Sequence, residues 1–365
     1  MSDSLHQIRS FHETRQHKNL AQSQRQVHDL YVSLTPSEVD QAVRTALELL
    51  ASHETTAEEM FRCLACFHPG SLGAAHHTLV ERRRFYPAVM YYGADDEIAK
   101  RILNLLSDKE NVNHMLGALA WIGNDTVRKA FHAWKQNPPD WTHQLHEPPH
   151  RYAEEAGWAL TQQGDRRELY STTCHPLVLP TDGRTVAELV RIGGEVEEAC
   201  PWCQRPLTVF LDLDLSQLAL SFLNISGKRL QIATCHVCTC FGCVYTAIDW
   251  NGKATWHKAN ERPSYLPEDS STWDSFPTNP LACSRTARHA LEGANWLLPG
   301  VAFSQLGGHP TWIQEARYPA CLECESPMPF IGQLSNEDFQ KYGEGIYYIF
   351  LCKTCKIAAT TYQQS

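Results

Sequence analysis

Two C-x-x-C pairs, Cys321/Cys324 and Cys352/Cys355, dominate the last forty-odd residues of the chain. Two cysteines separated by two residues on a tight turn present both sulfurs to one metal. Two such turns supply four thiolates, a closed tetrahedral donor set that suits structural Zn²⁺. The 27 residues between the pairs exceed the usual spacing of about 15–20. Apolar runs at 328–334 and 346–351 fill that span as two strands, with a polar excursion at 335–344 between their ends and a third run at 357–362 beyond. The stretch reads as a zinc-ribbon-like unit.

It has a counterpart upstream. ACPWCQRPLTVFLDL (199–213) aligns without gaps on ACLECESPMPFIGQL (320–334), and ATCHVCTCFGCVYT (233–246) aligns on FLCKTCKIAATTYQ (350–363). Cys200, Cys203, Cys235 and Cys238 thereby form a second four-thiol set, and Gly193-Gly194 and Gly307-Gly308 precede the two units. Cys240 and Cys243 over-supply this set, so the spacing leaves open whether either replaces Cys235 or Cys238 as a ligand. Four thiolates leave no coordination position for water, which assigns both zincs to folding rather than to catalysis. Cys63 and Cys66 lie in an apolar helical context and read as core thiols. Within 207–215, Phe210, Asp212 and Asp214 alternate with Leu211, Leu213 and Leu215, a period of two that predicts one buried and one acidic, solvated face.

The rest of the chain reads as helical at the N-terminus. Thr35-Pro36-Ser37-Glu38 is a helix start with a capping box, and apolar residues at helical spacing recur to about residue 136. Two pieces, MYYGADDEIAKRIL and AWIGNDTVRKAF, each place a Gly and an Asp or Asn between an apolar helix end and a new amphipathic helix. Stacked helix pairs of this kind resemble HEAT-like repeats; an ordinary helical bundle gives the same pattern. The prolines after residue 137 stop the helices, and 152–169 reads as one more helix. The organisation is therefore α+β: an all-α, HEAT-like domain at 1–136, a linker plus helix at 137–175, and a duplicated β-rich domain at 176–365. The halves of that domain are 176–250 and 300–365, separated by an insertion at 251–299.

Charge and motif content narrow the function. The formal net charge is −9, with acidic residues in excess in both halves, whereas a nucleic-acid binder needs a basic face to neutralise phosphates. A basic protein partner suits this chain better. Fourteen cysteines in a chain that starts with a polar segment and contains no long apolar window point to reduced thiols in the cytoplasm. No phosphate loop, nucleophile elbow or H-E-x-x-H pattern occurs: His76-His77 lacks that spacing, and His53-Glu54 lacks the second histidine. The expected activity is binding, not catalysis. Aromatic and acidic residues interleave in the insertion, and Trp256, Glu268, Asp269, Trp273 and Asp274 are the candidate partner contacts.

Residues 304–314 (SQLGGHPTWIQ), followed by CLEC, MPFIGQL and GIYYIFLCKTC, resemble the YwqG-like bacterial domain family, in which a G-G-x-P-x-W-x-Q segment precedes a strand ending F-I-x-Q-L. The match covers 300–365 and, in part, 176–250, where the P-x-W-x-Q segment is missing. Relatives with this zinc-knuckle variant are similar to immunity proteins of polymorphic-toxin systems. The resemblance implies a chain that binds and neutralises a cognate secreted toxin domain, an ADP-ribosyltransferase or a nuclease, by covering its active or target-binding face. A zinc-ribbon nucleic-acid-binding or transcription-associated protein is the alternative.

Overall fold

The computed structural model describes all residues except 1, 15–19, 109, 181–188, 268–275, 279–280, 285, 299–301, 340–342 and 365. The chain folds as two compact units: Met1–Glu168 with Leu291–Gly300, and Leu169–Ala290 with Val301–Ser365.

The first unit is built from helices: α1 (Asp3–Thr14), α2 (Leu20–Ser33), α3 (Pro36–Leu49), α4 (Glu54–Phe67), α5 (Gly73–Glu81), α6 (Asp96–Leu105), α7 (Val112–Ile122) and α8 (Asp125–Gln136). Of these, α3, α6 and α8 start at a side-chain cap. The capping box at α3 forms: the Thr35 hydroxyl accepts from the Glu38 N–H, and the Glu38 carboxylate accepts from the Thr35 N–H. Asp95 and Asn124 cap α6 and α8 by accepting from Ile98 and Val127, after Gly93 and Gly123 in left-handed conformation. Helix α4 buries Met60, Phe61, Cys63, Leu64 and Cys66 completely or nearly so, which makes it the unit's central element. Its two cysteines are core thiols; burial pushes Cys63 up to about 12.

Residues 152–169 are not a helix. A 3₁₀ stretch, Pro149–Ala156, ends at Gly157 in left-handed conformation, and the chain then turns back on itself as β1 (Trp158–Leu160) and β2 (Arg166–Glu168). The reason is tertiary. Trp158 is fully buried, stacks on Phe131 and donates its indole N–H to the Ala120 carbonyl at 2.8 Å. Arg166 lies over the Trp158 ring and donates to the Gly123 carbonyl. The hairpin latches the turn between α7 and α8, and these contacts outweigh the modest local preference for helix.

The second unit is organised on a long antiparallel sheet. Its strands are β3 (Thr173–Val178), β4 (Leu189–Val190), β8 (Val244–Ile248), β9 (Ala254–Trp256), β10 (Leu281–Cys283), β11 (Arg288–His289), β12 (Gln305–Gly307), β13 (Phe330–Ser335), β14 (Ile346–Cys352) and β15 (Ile357–Gln363). They run in the order β4-β10-β3-β12-β13-β14-β15-β8-β9, with β11 also paired to β3. A smaller sheet of β5 (Glu195–Ala199), β6 (Pro206–Asp214) and β7 (Arg229–Thr234) packs on it. The three C-terminal runs read from the sequence are thus β13, β14 and β15.

Strand β14 is buried along its whole length because both of its faces are covered. Tyr347, Ile349 and Leu351 join the core shared with β6 and β7, and Phe210 meets Tyr347 edge-on at 4.8 Å. Tyr348 and Phe350 face Trp312 and Tyr318. The same double cover overturns the expected acidic face of β6. Leu207 to Leu213 are all buried; Phe210 stacks on Phe276, and Asp212 is forked by Arg229 of β7. Of the three residues expected on that face, only Asp214, past the end of the covered segment, is exposed.

Gly193, Gly194, Gly307 and Gly308 all have positive φ. At Gly307 (φ +67°) a Cβ would lie 2.1 Å from the Thr173 carbonyl oxygen, whereas at Gly194 (φ +79°) it would meet nothing within 4 Å. Gly307→Ala therefore costs both backbone strain and a backbone clash, about 2–5 kcal/mol, and Gly194→Ala the strain alone, about 1–2 kcal/mol. Urea unfolding of the two variants reads the difference; equal losses would contradict this assignment.

Candidate metal centres

A metal centre made from sequence-distant cysteines needs four sulfurs to converge, and the structure brings together the two expected sets. Cys200, Cys203, Cys235 and Cys238 have all their sulfurs within 4.8 Å of one another, and so do Cys321, Cys324, Cys352 and Cys355. Cys200–Cys238, Cys203–Cys235 and Cys324–Cys352 stand 3.7, 3.4 and 3.8 Å apart. A tetrahedral ion with metal–sulfur bonds of about 2.3 Å has sulfur–sulfur edges of about 3.8 Å, close to these three separations, so both sets could hold an ion. Among the described residues no other group of three or more potential ligands converges in this way.

The turns are built for the purpose. In two of the pairs the chain closes identically: Cys200 N–H donates to the Arg205 carbonyl and Gln204 N–H to Cys200, while Cys321 N–H donates to the Ser326 carbonyl and Glu325 N–H to Cys321. Ala199 bridges Pro206 as Ala320 bridges Pro327. The residue after the second cysteine takes the left-handed conformation at Gln204, Glu325 and Lys356. That bend lets backbone N–H groups face the sulfurs. Cys203 and Cys324 accept from the N–H two residues on, and Cys200, Cys235 and Cys352 from the N–H three residues on. Such donors stabilise thiolate; the Ser326 N–H, first among several causes, brings Cys324 down to about 7. The pair at Cys235/Cys238 departs from the pattern by running on into a 3₁₀ turn, Cys238–Phe241.

That turn carries the surplus cysteines away from the site. Cys240 contacts the His236 carbonyl and the Tyr347 hydroxyl, and Cys243 lies by Tyr245. Burial raises both, to about 11 and about 12. The ambiguity left by spacing is resolved by geometry: neither belongs to the four-sulfur group.

The two centres differ in exposure. In the first, three cysteines are buried and Cys203 is half-buried; in the second, Cys324 is exposed and Cys355 half-buried. Strands β8 and β9 connect to both. Trp202, inside the first turn, meets Trp256 edge-on at 4.9 Å. Tyr245 donates to the Ala320 carbonyl, and His257 lies 3.7 Å from Glu323 in the third turn. Trp256 therefore packs against the first centre, half-buried, with its backbone N–H donating to the Glu198 carboxylate. Glu268, Asp269, Trp273 and Asp274 lie outside the described residues. The Glu198 and Trp202 contacts escaped the sequence reading, and only the position of Trp202 between two ligand cysteines hinted at one of them.

The SQLGGHPTWIQ segment supports the sheet rather than a pocket. Gln305 Nε2 donates to the Gly307 and His309 carbonyls, and Gln333, the glutamine of FIGQL, accepts from the Thr311 N–H and donates to the Phe303 carbonyl. Of the histidines, His76 is buried and bonded to the Met90 carbonyl, and burial lowers its pKa; His53 precedes α4 without a side-chain bond to the helix N–H groups, its ring bonded to the Ser52 hydroxyl instead.

Cys352→Ser removes one donor from the second centre. It is expected to lower bound metal from two ions per chain to one and to abolish cooperative melting of this unit, whereas Cys240→Ser and Cys243→Ser keep both ions. Elemental analysis with thermal melts tests this; full metal content in Cys352→Ser would refute the ligand assignment.

No family model and no solved structure matches the chain. Among curated proteins it is 34% identical over 374 aligned residues, spanning all of this chain and 87% of the relative, to the uncharacterized protein YpfL of Salmonella typhimurium. At that identity and coverage, the chain belongs to the same family as the Salmonella protein YpfL.

Proposed function

We propose that this protein is a cytoplasmic, non-enzymatic immunity protein. In this reading it binds a cognate secreted antibacterial toxin, an ADP-ribosyltransferase or a nuclease with a basic surface, and occludes its active or target-binding face. The observation that carries the reading is the pair of closed four-thiol centres in a chain of net charge −9 that resembles the YwqG-like zinc-knuckle family. Such centres hold a scaffold and leave binding to the surface around it.

The ion is Zn²⁺ on this reading. Four thiolates at tetrahedral spacing suit a borderline-soft ion without geometric preference of its own, and when bound it supplies structural cross-linking only. The β-rich unit is a duplication: the same hydrogen-bond closure recurs at Cys200 and Cys321, and the order turn, strand, strand, turn, strand recurs in both halves, which supports a common ancestor for them. The helical unit is HEAT-like. Its support is the repeated glycine and side-chain cap before α6 and α8, and helical stacks of this kind present extended binding surfaces.

Co-expression with candidate toxins, first any encoded beside its gene, tests the proposal. Growth should be rescued and a 1:1 complex should purify through size exclusion. Cells that die equally with or without this protein, with no complex formed, would overturn it. Salt-dependent retention of DNA or RNA instead would favour the zinc-ribbon nucleic-acid reading.

A further inference from the structure

The helical unit contains a cleft that the metal centres do not use. Its volume is about 320 Å³, at the small end of the range of about 300–1,000 Å³ for ligand sites, which suits a single side chain better than a cofactor. Glu54 and Glu58, one turn apart on α4, form one side. Arg83 and Arg84, after α5, lie at its edge, and Tyr86 and His114 form an aromatic wall with ring centroids 5.7 Å apart.

The charges are already apportioned. Arg84 is bonded to Glu54, and Arg83 pairs with Asp108 at 2.6 Å and reaches Glu110 at 3.9 Å. Arg62, the next residue on the Glu54–Glu58 stripe, donates to the Tyr86 hydroxyl and spans the rings of Tyr86 and Trp296 at 5.5 and 5.7 Å. Glu58 has no hydrogen bond or ion pair among the described residues. Burial first, and then the neighbouring Glu54, raise its carboxyl, while Arg84 and Arg62, which lie near without bonding it, pull the other way. Tyr86 and Trp296 are 47% and 48% exposed, yet Arg62 fixes both. Tyr86 in the cleft wall, with Arg62 and the half-exposed Trp296 beside it, are the residue types of interface hot spots. Arg83 and Asn111, both lining the cleft, hold left-handed backbone, an arrangement that carries strain at non-glycine residues.

We propose that this cleft receives a lysine or arginine side chain of the partner protein, its cation held between the Glu58 carboxylate and the Tyr86–His114 wall. The identity of the partner rests on the immunity reading; the cleft's preference for a cation does not. An anion is disfavoured because Arg83 and Arg84, the arginines of the lining, are committed to carboxylates, leaving the Glu58 carboxylate as the acidic group of the lining with no direct ion pair among the described residues.

Two measurements separate this inference from the reading beneath it. In the first, affinity for the co-expressed toxin is compared across variants. Glu58→Gln should weaken the complex about tenfold and Glu58→Arg about a hundredfold or more, while Glu195→Arg, on exposed β5, leaves it unchanged. Melting of Glu58→Gln should stay close to the parent, since Glu58 makes no direct hydrogen bond or ion pair, whereas Glu58→Arg, placed four residues before Arg62, should melt slightly lower but still cooperatively. Undiminished capture by Glu58→Arg overturns the cleft assignment and leaves the immunity reading standing. If the parent captures no toxin, the second measurement decides: ¹⁵N spectra are titrated with the N-acetyl methylamides of arginine, lysine and, as a neutral control, norleucine. Saturable shifts at Asn111 and His114 with the two cations alone, lost in Glu58→Gln, would establish the cation site although the immunity reading had failed. Spectra unchanged by either cation would refute both.

Discussion

The β-rich unit depends on thiols converging at chain reversals. Four sulfurs within 4.8 Å of one another are a crowded arrangement for protonated groups and a favourable one for thiolates around a cation. Structural zinc in small modules contributes on the order of 10–16 kcal/mol, whereas whole domains are stable by about 5–15 kcal/mol. On the zinc reading, then, metal loading decides whether this unit folds at all. The sheet links the two centres to one another. Strand β15 leaves the second centre and pairs with β8, which follows the first, so on the zinc reading both reversals feed one ladder.

Once the reversals are held, ordinary packing completes the unit. Strand β14 carries its aromatic and aliphatic residues into two cores, one toward β6 and one toward Trp312. The glutamines of the SQLGGHPTWIQ and FIGQL segments satisfy the carbonyls and N–H groups of the irregular chain between them. Buried amides of this kind are costly unless every group finds a partner. That gives the most sequence-specific part of the chain a scaffold role and moves attention for binding to the helical unit, where Arg62 orders exposed aromatics beside a carboxylate.

Legibility followed the range of the interaction. The capping box at Thr35, the C-terminal strands and the core role of Cys63 and Cys66 could be read directly, because each depends on groups a few residues apart or on simple apolar burial. The alternation in β6 misled: a period of two reports a solvated face only if nothing covers it, and Phe276, Tyr347 and Arg229 cover this one. Residues 152–169 misled for a related reason. Their local preference was helical, but the Trp158 indole found its partner in the Ala120 carbonyl, 38 residues away in sequence.

The cysteine spacing by itself determined that four tight turns exist and that they fall into two sets, since the two-residue gap and the gapless alignment are properties of the chain. It did not determine which sulfurs complete the first set. Cys238 and Cys240 are nearly equivalent in sequence, and only the 3₁₀ turn after Cys238, which directs Cys240 toward Tyr347, separates them. Tertiary structure likewise decided that Leu291–Gly300 packs with the helices, and that Glu58, inconspicuous in the sequence, lies in a cleft without an ion-pair partner among the described residues. Those outcomes depend on groups tens to hundreds of residues apart, whose meeting no local pattern encodes.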